Sequence, residues 1–119
     1  MWERAWPAKD ADAIAALYAP EAVYRSHPHR DPEEGSARGY VTRQFAVEQA
    51  VECRFGDPVS AGDRAAVEWW GSWIEEGREV TLSGATVLRF DGDGLVVEHV
   101  DYWVESPGRL DPFARWGSR

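Results

Sequence analysis

The run Leu95-Val96-Val97-Glu98-His99-Val100-Asp101-Tyr102-Trp103 holds the residues best suited to chemistry. Side chains of a β-strand alternate between its faces. Read as a strand, the run puts His99, Asp101 and Trp103 on one face and Glu98, Val100 and Tyr102 on the other. An imidazole and a carboxylate beside an indole form an acid–base pair in an apolar wall, suited to moving a proton on a bound small molecule. Asp101 is the stronger candidate, because a charge among tryptophans is costly unless it is used or paired. The structural reading stays open beside it: the two groups bond each other or nearby tyrosines and simply fix the core.

A second run supports an aromatic wall. In Arg64–Glu75, Trp69, Gly71 and Trp73 share one parity and Glu68, Trp70 and Ser72 the other. Trp69 and Trp73 are expected to hold an apolar or aromatic ligand between flat rings. Trp70 then faces outward, and an exposed indole on a sheet marks a partner surface. Val100 and Tyr102 share that outward face. His27 and His29 are two apart and His99 is remote, which is not the spacing of a metal site, so no metal is expected.

Composition narrows the class. The chain has 119 residues, enough for one domain and one modest pocket. Seven Trp, four Tyr and four Phe are many for this length and suit a core or a ring-lined cavity. Twenty-one acidic against 13 basic residues give a net charge of −8, which argues against nucleic acid as a partner. The single cysteine, Cys53, rules out an intrachain disulfide and fits a reducing compartment; on the apolar parity of its run it reads as a buried, inert thiol. No apolar run approaches membrane-spanning length, so no membrane partner and a cytoplasmic location are expected.

These residues need elements to position them. Residues 2–18 read as a helix interrupted at Pro7, with Asp10 or Asp12 capping its second part and Pro20 helping to end it. Residues 22–26 look extended, and 27–35 form a loop rich in proline. A helix is expected over 37–48, with Tyr40, Val41, Phe45 and Val47 buried. Strands follow over 51–59, 64–75, 79–90 and 95–105, joined by short turns at 75–78 and 91–94. Helices followed by an antiparallel meander predict an α+β fold: a cone-shaped, curved antiparallel sheet packed by N-terminal helices and enclosing a pocket. The domain is expected over residues 1–105, with 106–119 a loose tail.

The segments Asp10-Ala11-Asp12-Ala13-Ile14-Ala15-Ala16-Leu17-Tyr18-Ala19-Pro20-Glu21-Ala22-Val23-Tyr24 and Arg89-Phe90-Asp91-Gly92-Asp93-Gly94-Leu95-Val96-Val97-Glu98 resemble the nuclear-transport-factor-2-like superfamily, specifically its SnoaL-like branch. The resemblance covers about residues 2–105 and is more specific for fold than for function, since the family includes isomerases, cyclases, dehydratases, epoxide hydrolases and non-catalytic binders. Ketosteroid isomerase belongs to the same superfamily. Its tyrosine, general-base aspartate and oxyanion-hole aspartate fall near Trp2, His27 and Thr86, and none is retained, so steroid isomerisation is not expected. The same map places His27, Trp69, Trp73, Thr86, Leu88, His99, Asp101 and Trp103 on the cavity side. The resemblance implies acid–base catalysis without a cofactor. Asp101 would serve as acid or base, His99 would share its proton, and His27 would be an auxiliary donor. Trp69, Trp73, Trp103, Thr86 and Leu88 would contact the substrate. The resemblance also implies a homodimer through the outer sheet face at Trp70, Val100 and Tyr102, with Glu52, Arg54 and Glu68 in or near the interface. A non-catalytic dimeric module that binds an apolar ligand or a protein is the alternative.

Overall fold

Asp10 divides the N-terminal helical stretch. Helix α1 covers Trp2–Ala5 and α2 covers Ala11–Ala15; between them the Asp10 carboxylate accepts a hydrogen bond from the Ala13 backbone N–H at 3.0 Å. That is the capping role its position suggested. The computed structural model describes residues 1–117.

The second helix stops sooner than its apolar spacing implies. Tyr18 opens strand β1, Tyr18–Arg25, in place of closing a helix, and Pro20 lies inside that strand. A proline is tolerated there because β1 is an edge strand. Helix α3, Ser36–Val47, follows, burying Ala37, Val41 and Phe45. Val47, expected to be buried, is exposed.

The remaining strands are β2 (Glu48–Phe55), β3 (Val59–Ala61), β4 (Arg64–Glu75), β5 (Arg78–Phe90) and β6 (Val96–Pro107). The expected run over 51–59 is thus two strands, and β2 starts three residues earlier. The sheet order is β1-β6-β5-β4-β2, with β3 also pairing with β4. The pairs β4–β5 and β5–β6 are antiparallel, as a meander of neighbours requires. β1 joins β6 in parallel, with Tyr24 opposite His99. Glu76 and Gly77 both take positive φ in the β4–β5 turn, which keeps that hairpin tight. The result is an α+β fold, a curved sheet that does not close, with the helices over one face.

The outer face is covered in part by the chain's own C-terminus. After β6, the Trp70 indole N–H donates to the Leu110 carbonyl at 2.9 Å, and the Arg109 guanidinium lies 5.5 Å from the Trp70 ring centre. Arg109 also pairs with Glu52, and Arg54 stacks over Trp116 at 5.4 Å. Trp70 is therefore only 2 % exposed. This corrects two expectations. Trp70 is no open partner surface, because residues 109–110 lie on it, and the stretch expected to be loose touches the sheet at Arg109, Leu110 and Trp116, of which Trp116 is buried while Leu110 and Phe113 are exposed.

Candidate functional site

The cavity-facing parity of β4, β5 and β6 meets the aromatic residues of α1 and β1. Trp69 and Trp73 of β4 point inward, with Gly71 between them. A Cβ on Gly71 would come within 2.8 Å of the Trp6 ring, so the glycine lets Trp6 lie across the strand. Trp6 then meets Trp73 at 5.3 Å between ring centres and Trp69 at 6.0 Å. A cavity of ≈ 200 Å³ opens against these rings. An apolar cavity of about 150 Å³ holds benzene, so the space suits a small molecule.

The polar wall is a connected network centred on Asp101. Thr86 lies directly opposite Asp101 across β5 and β6. Its hydroxyl donates to Asp101 Oδ1 at 2.5 Å while accepting from the Trp69 indole N–H at 2.8 Å. His99 Nε2 lies 2.7 Å from the same Oδ1, and the Tyr18 hydroxyl is 2.7 Å from His99 Nδ1. A neutral imidazole satisfies the whole chain when Tyr18 donates to Nδ1 and Nε2–H donates to Oδ1. Asp101 Oδ2 carries only a 3.5 Å contact from the Tyr24 hydroxyl. Two donors thus hold one oxygen of a carboxylate that lines the cavity, and the other is left weakly engaged.

Three phenols face that charge. Burial, reinforced by the negative charge of Asp101, holds Tyr18, Tyr24 and Tyr40 well above the usual phenol range. They remain O–H donors at any ordinary pH. Tyr24 stacks on His99 with ring centres 3.9 Å apart, and on Tyr40 at 4.9 Å. His99 is therefore held by a ring face as well as by both its nitrogens.

Glu48 supplies a second buried carboxyl. It is the first residue of β2, at the point where α3 ends and the chain becomes extended. The Lys9 ammonium donates to the Phe45 carbonyl at 2.7 Å and to the Glu48 carbonyl, closing the end of the helix. The Glu48 side chain accepts from the Trp6 indole N–H at 2.7 Å and from Gln44 at 3.1 Å. Burial pushes its carboxyl up to about 7, with those two donors pulling the other way. Glu75 and Glu105 also line the cavity, and Arg30 is the one guanidinium there among the described residues.

Of the residues expected at the site, Asp101, His99, Trp69, Trp73, Trp103, Thr86 and Leu88 all line this cavity. His27 does not. Its ring packs edge-on against Trp103 at 5.0 Å, and its Nδ1 accepts from the His29 backbone N–H at 3.2 Å. The sequence reading missed Glu48 and Tyr24 as cavity residues and placed Tyr18 in a helix. The parity of β1 carried the signal for both tyrosines, once that strand is taken to start at Tyr18. Cys53 is half-buried, and burial pushes its thiol up to about 12, so it is an inert thiol.

The family model of the SnoaL-like domain matches residues 1–99. The chain belongs to the SnoaL-like family. Two solved structures show the same fold. One is a hypothetical protein with a ketosteroid isomerase-like fold from Catenulispora acidiphila DSM 44928, in complex with trimethylamine. It is 24% identical, with a TM-score of 0.73 over 85% of this chain and 80% of that one. The other is SalBIII, an epoxide hydrolase/cyclase-like enzyme with a role in pyran ring formation in the polyether salinomycin. It is 17% identical, with a TM-score of 0.77 over 90% of each chain. No curated protein sequence matches the chain. No helix among the described residues of this SnoaL-like chain is long and apolar enough to cross a membrane.

Proposed function

We propose that this SnoaL-like protein carries out acid–base chemistry on a small molecule held in the aromatic cavity, of the isomerase, cyclase, dehydratase or hydrolase type. One observation carries the reading. Asp101 lines the cavity with Oδ1 fixed by Thr86 and His99, and Oδ2 has only the long Tyr24 contact. A carboxylate held in this way is a positioned general base. It takes a proton from the substrate on Oδ2 and returns it to another substrate atom. The phenols of Tyr18 and Tyr24, kept protonated, hold the pair in place, Tyr18 by donating to His99 Nδ1 and Tyr24 through its long contact to Oδ2. His99 orients Asp101 by donating Nε2–H to Oδ1. Trp69, Trp73 and Trp103 hold the substrate, with Thr86 and Leu88 between them. His27 acts through Trp103, whose ring it supports, and not as a donor to the substrate. No step calls for a cofactor.

SalBIII, with the same fold, is described as epoxide hydrolase/cyclase-like, a reaction class that is among those proposed here. The test is Asp101→Asn, nearly isosteric. It should keep the fold and ligand binding while losing turnover by about 10²–10⁴-fold, the usual contribution of a general acid or base. Unchanged turnover would overturn the reading. Loss of the fold in that variant would favour the second one, a non-catalytic binding module in which the network is purely structural. The observation favouring that second reading is that every buried side-chain polar atom among the described residues has a hydrogen-bond partner.

For assembly we propose a homodimer through the part of the outer face that the C-terminal segment leaves open. Tyr102 and Val104 are exposed there, with Val100 half-buried beside them.

A further inference from the structure

The cavity wall is unusual in its charge. Four carboxyl groups line it, those of Glu48, Glu75, Asp101 and Glu105, against the single guanidinium of Arg30. Arg30 is already engaged: it lies 5.2 Å from the Trp103 ring centre and donates to Ser26 Oγ at 3.2 Å. The rest of the wall is aromatic, and its rings meet at steep angles. Trp2 stands at 90° to Trp6, and Trp6 at 75° to Trp69 and 56° to Trp73. Rings packed edge to face in this way hold one another in place and bound the cavity with indole surface.

From this we infer that the ligand of the cavity is a small organic cation, a tertiary or quaternary amine with an apolar sheath, its head among Trp2, Trp6, Trp69 and Trp73 and its charge balanced by Asp101. The inference rests on the reading of the cavity as a small-molecule site and names the class of molecule it takes. A neutral ring would fill the space equally well, but it would leave the carboxylate field of the wall unanswered. An anion would meet Asp101, Glu75 and Glu105 with only Arg30 to offset them. A methylated ammonium matches both features: its weakly hydrated methyl surface packs on indole faces, and its charge is drawn by the ring quadrupoles and by the carboxylates. Burial holds the neighbouring phenols protonated, so the tyrosines present neutral hydroxyls to such a head while Asp101 supplies the counter-charge.

The test compares two molecules of the same shape that differ only in charge: choline and its neutral carbon analogue 3,3-dimethyl-1-butanol. Binding of each to the intact protein is measured by calorimetry and by tryptophan emission. Choline should bind at least about tenfold more tightly, the scale of a desolvated cation–π contact. Asp101→Asn should shrink that preference and leave the alcohol's affinity unchanged. Equal affinities, or a preference for the alcohol, would overturn the cation assignment and leave the cavity standing as a small-molecule site. Saturable binding of neither would overturn both. A preference unchanged in Asp101→Asn would overturn the role of Asp101 as counter-charge. If that variant does not fold, the comparison of the two ligands on the wild-type protein decides the assignment alone.

Discussion

His99 and Asp101, two residues apart on β6, hydrogen-bond each other on the cavity face, Nε2 to Oδ1 at 2.7 Å. The bond is possible because residues i and i+2 of a strand share a face. It points one way because the other imidazole nitrogen is held by Tyr18 from β1, 81 residues earlier in the chain. The pair is thus set by two strands that only the parallel β1–β6 pairing brings together.

Thr86 is the hinge of this network, since its one oxygen both accepts from Trp69 and donates to Asp101. Thr86→Val keeps the shape and removes both bonds. Leaving the buried indole N–H unpartnered should cost about 1–3 kcal/mol of stability, read from urea unfolding. A variant as stable as wild type would mean that the two bonds contribute nothing net.

Glu48 should make stability depend on pH. Its carboxyl is pushed from 4.5 up to about 7 in the folded protein, mainly by burial. Between these values the folded chain holds a proton that the unfolded chain has lost. The stability contributed by neutral Glu48 is therefore full below about 4.5 and falls as pH rises through about 7, by up to roughly 3 kcal/mol. Glu48→Gln removes that slope. Unfolding midpoints of wild type and variant, measured from pH 5 to 8, should diverge as pH rises, with the variant gaining relative to wild type. Parallel curves would contradict the placement of Glu48.

The C-terminal segment should act as a cover. Removing residues 108–119 takes away the Leu110 carbonyl and the Arg109 guanidinium that lie on Trp70. Exposing a large apolar side chain costs about 1.5–3 kcal/mol. The truncated chain should melt at least about 4 °C lower and show red-shifted tryptophan emission. An unchanged melting temperature would show that the segment contributes no cover.

Much of this was legible from period-two patterning, because alternation is a local property. The extent of β4 and the facing of Trp69, Trp73, His99, Asp101 and Trp103 follow from counting residues along a strand, and the family resemblance placed Thr86 and Leu88. Asp10 as a cap was equally local. What escaped depended on distant partners. Tyr18 has helical spacing with Ile14, and only its pairing with Val96 makes it a strand residue. Glu48 looks like the polar end of a helix until Trp6, 42 residues away, donates to it. Trp70 reads as exposed from its own strand, because nothing in β4 announces that residues 109–110 return to cover it.

Assembly tests the outer face that remains open. Sedimentation at micromolar concentration should give about twice the 13.4 kDa chain mass, and Tyr102→Arg should shift the protein to the monomer. A monomeric wild type would remove the proposed interface.

The most direct test of the central claim asks whether Asp101 takes a proton inside the cavity. 5-Nitrobenzisoxazole is a planar molecule that opens to a coloured phenolate when a base removes its C–H proton, so it reports a positioned carboxylate without knowledge of the natural substrate. The rate is compared for wild type, Asp101→Asn, and Glu98→Gln on the opposite face of β6, with folding and binding of the probe checked for each. The account predicts that Glu98→Gln matches wild type while Asp101→Asn, still folded and still binding the probe, is slower by about 10²-fold or more. An Asp101→Asn protein that opens the probe as fast as wild type would contradict it.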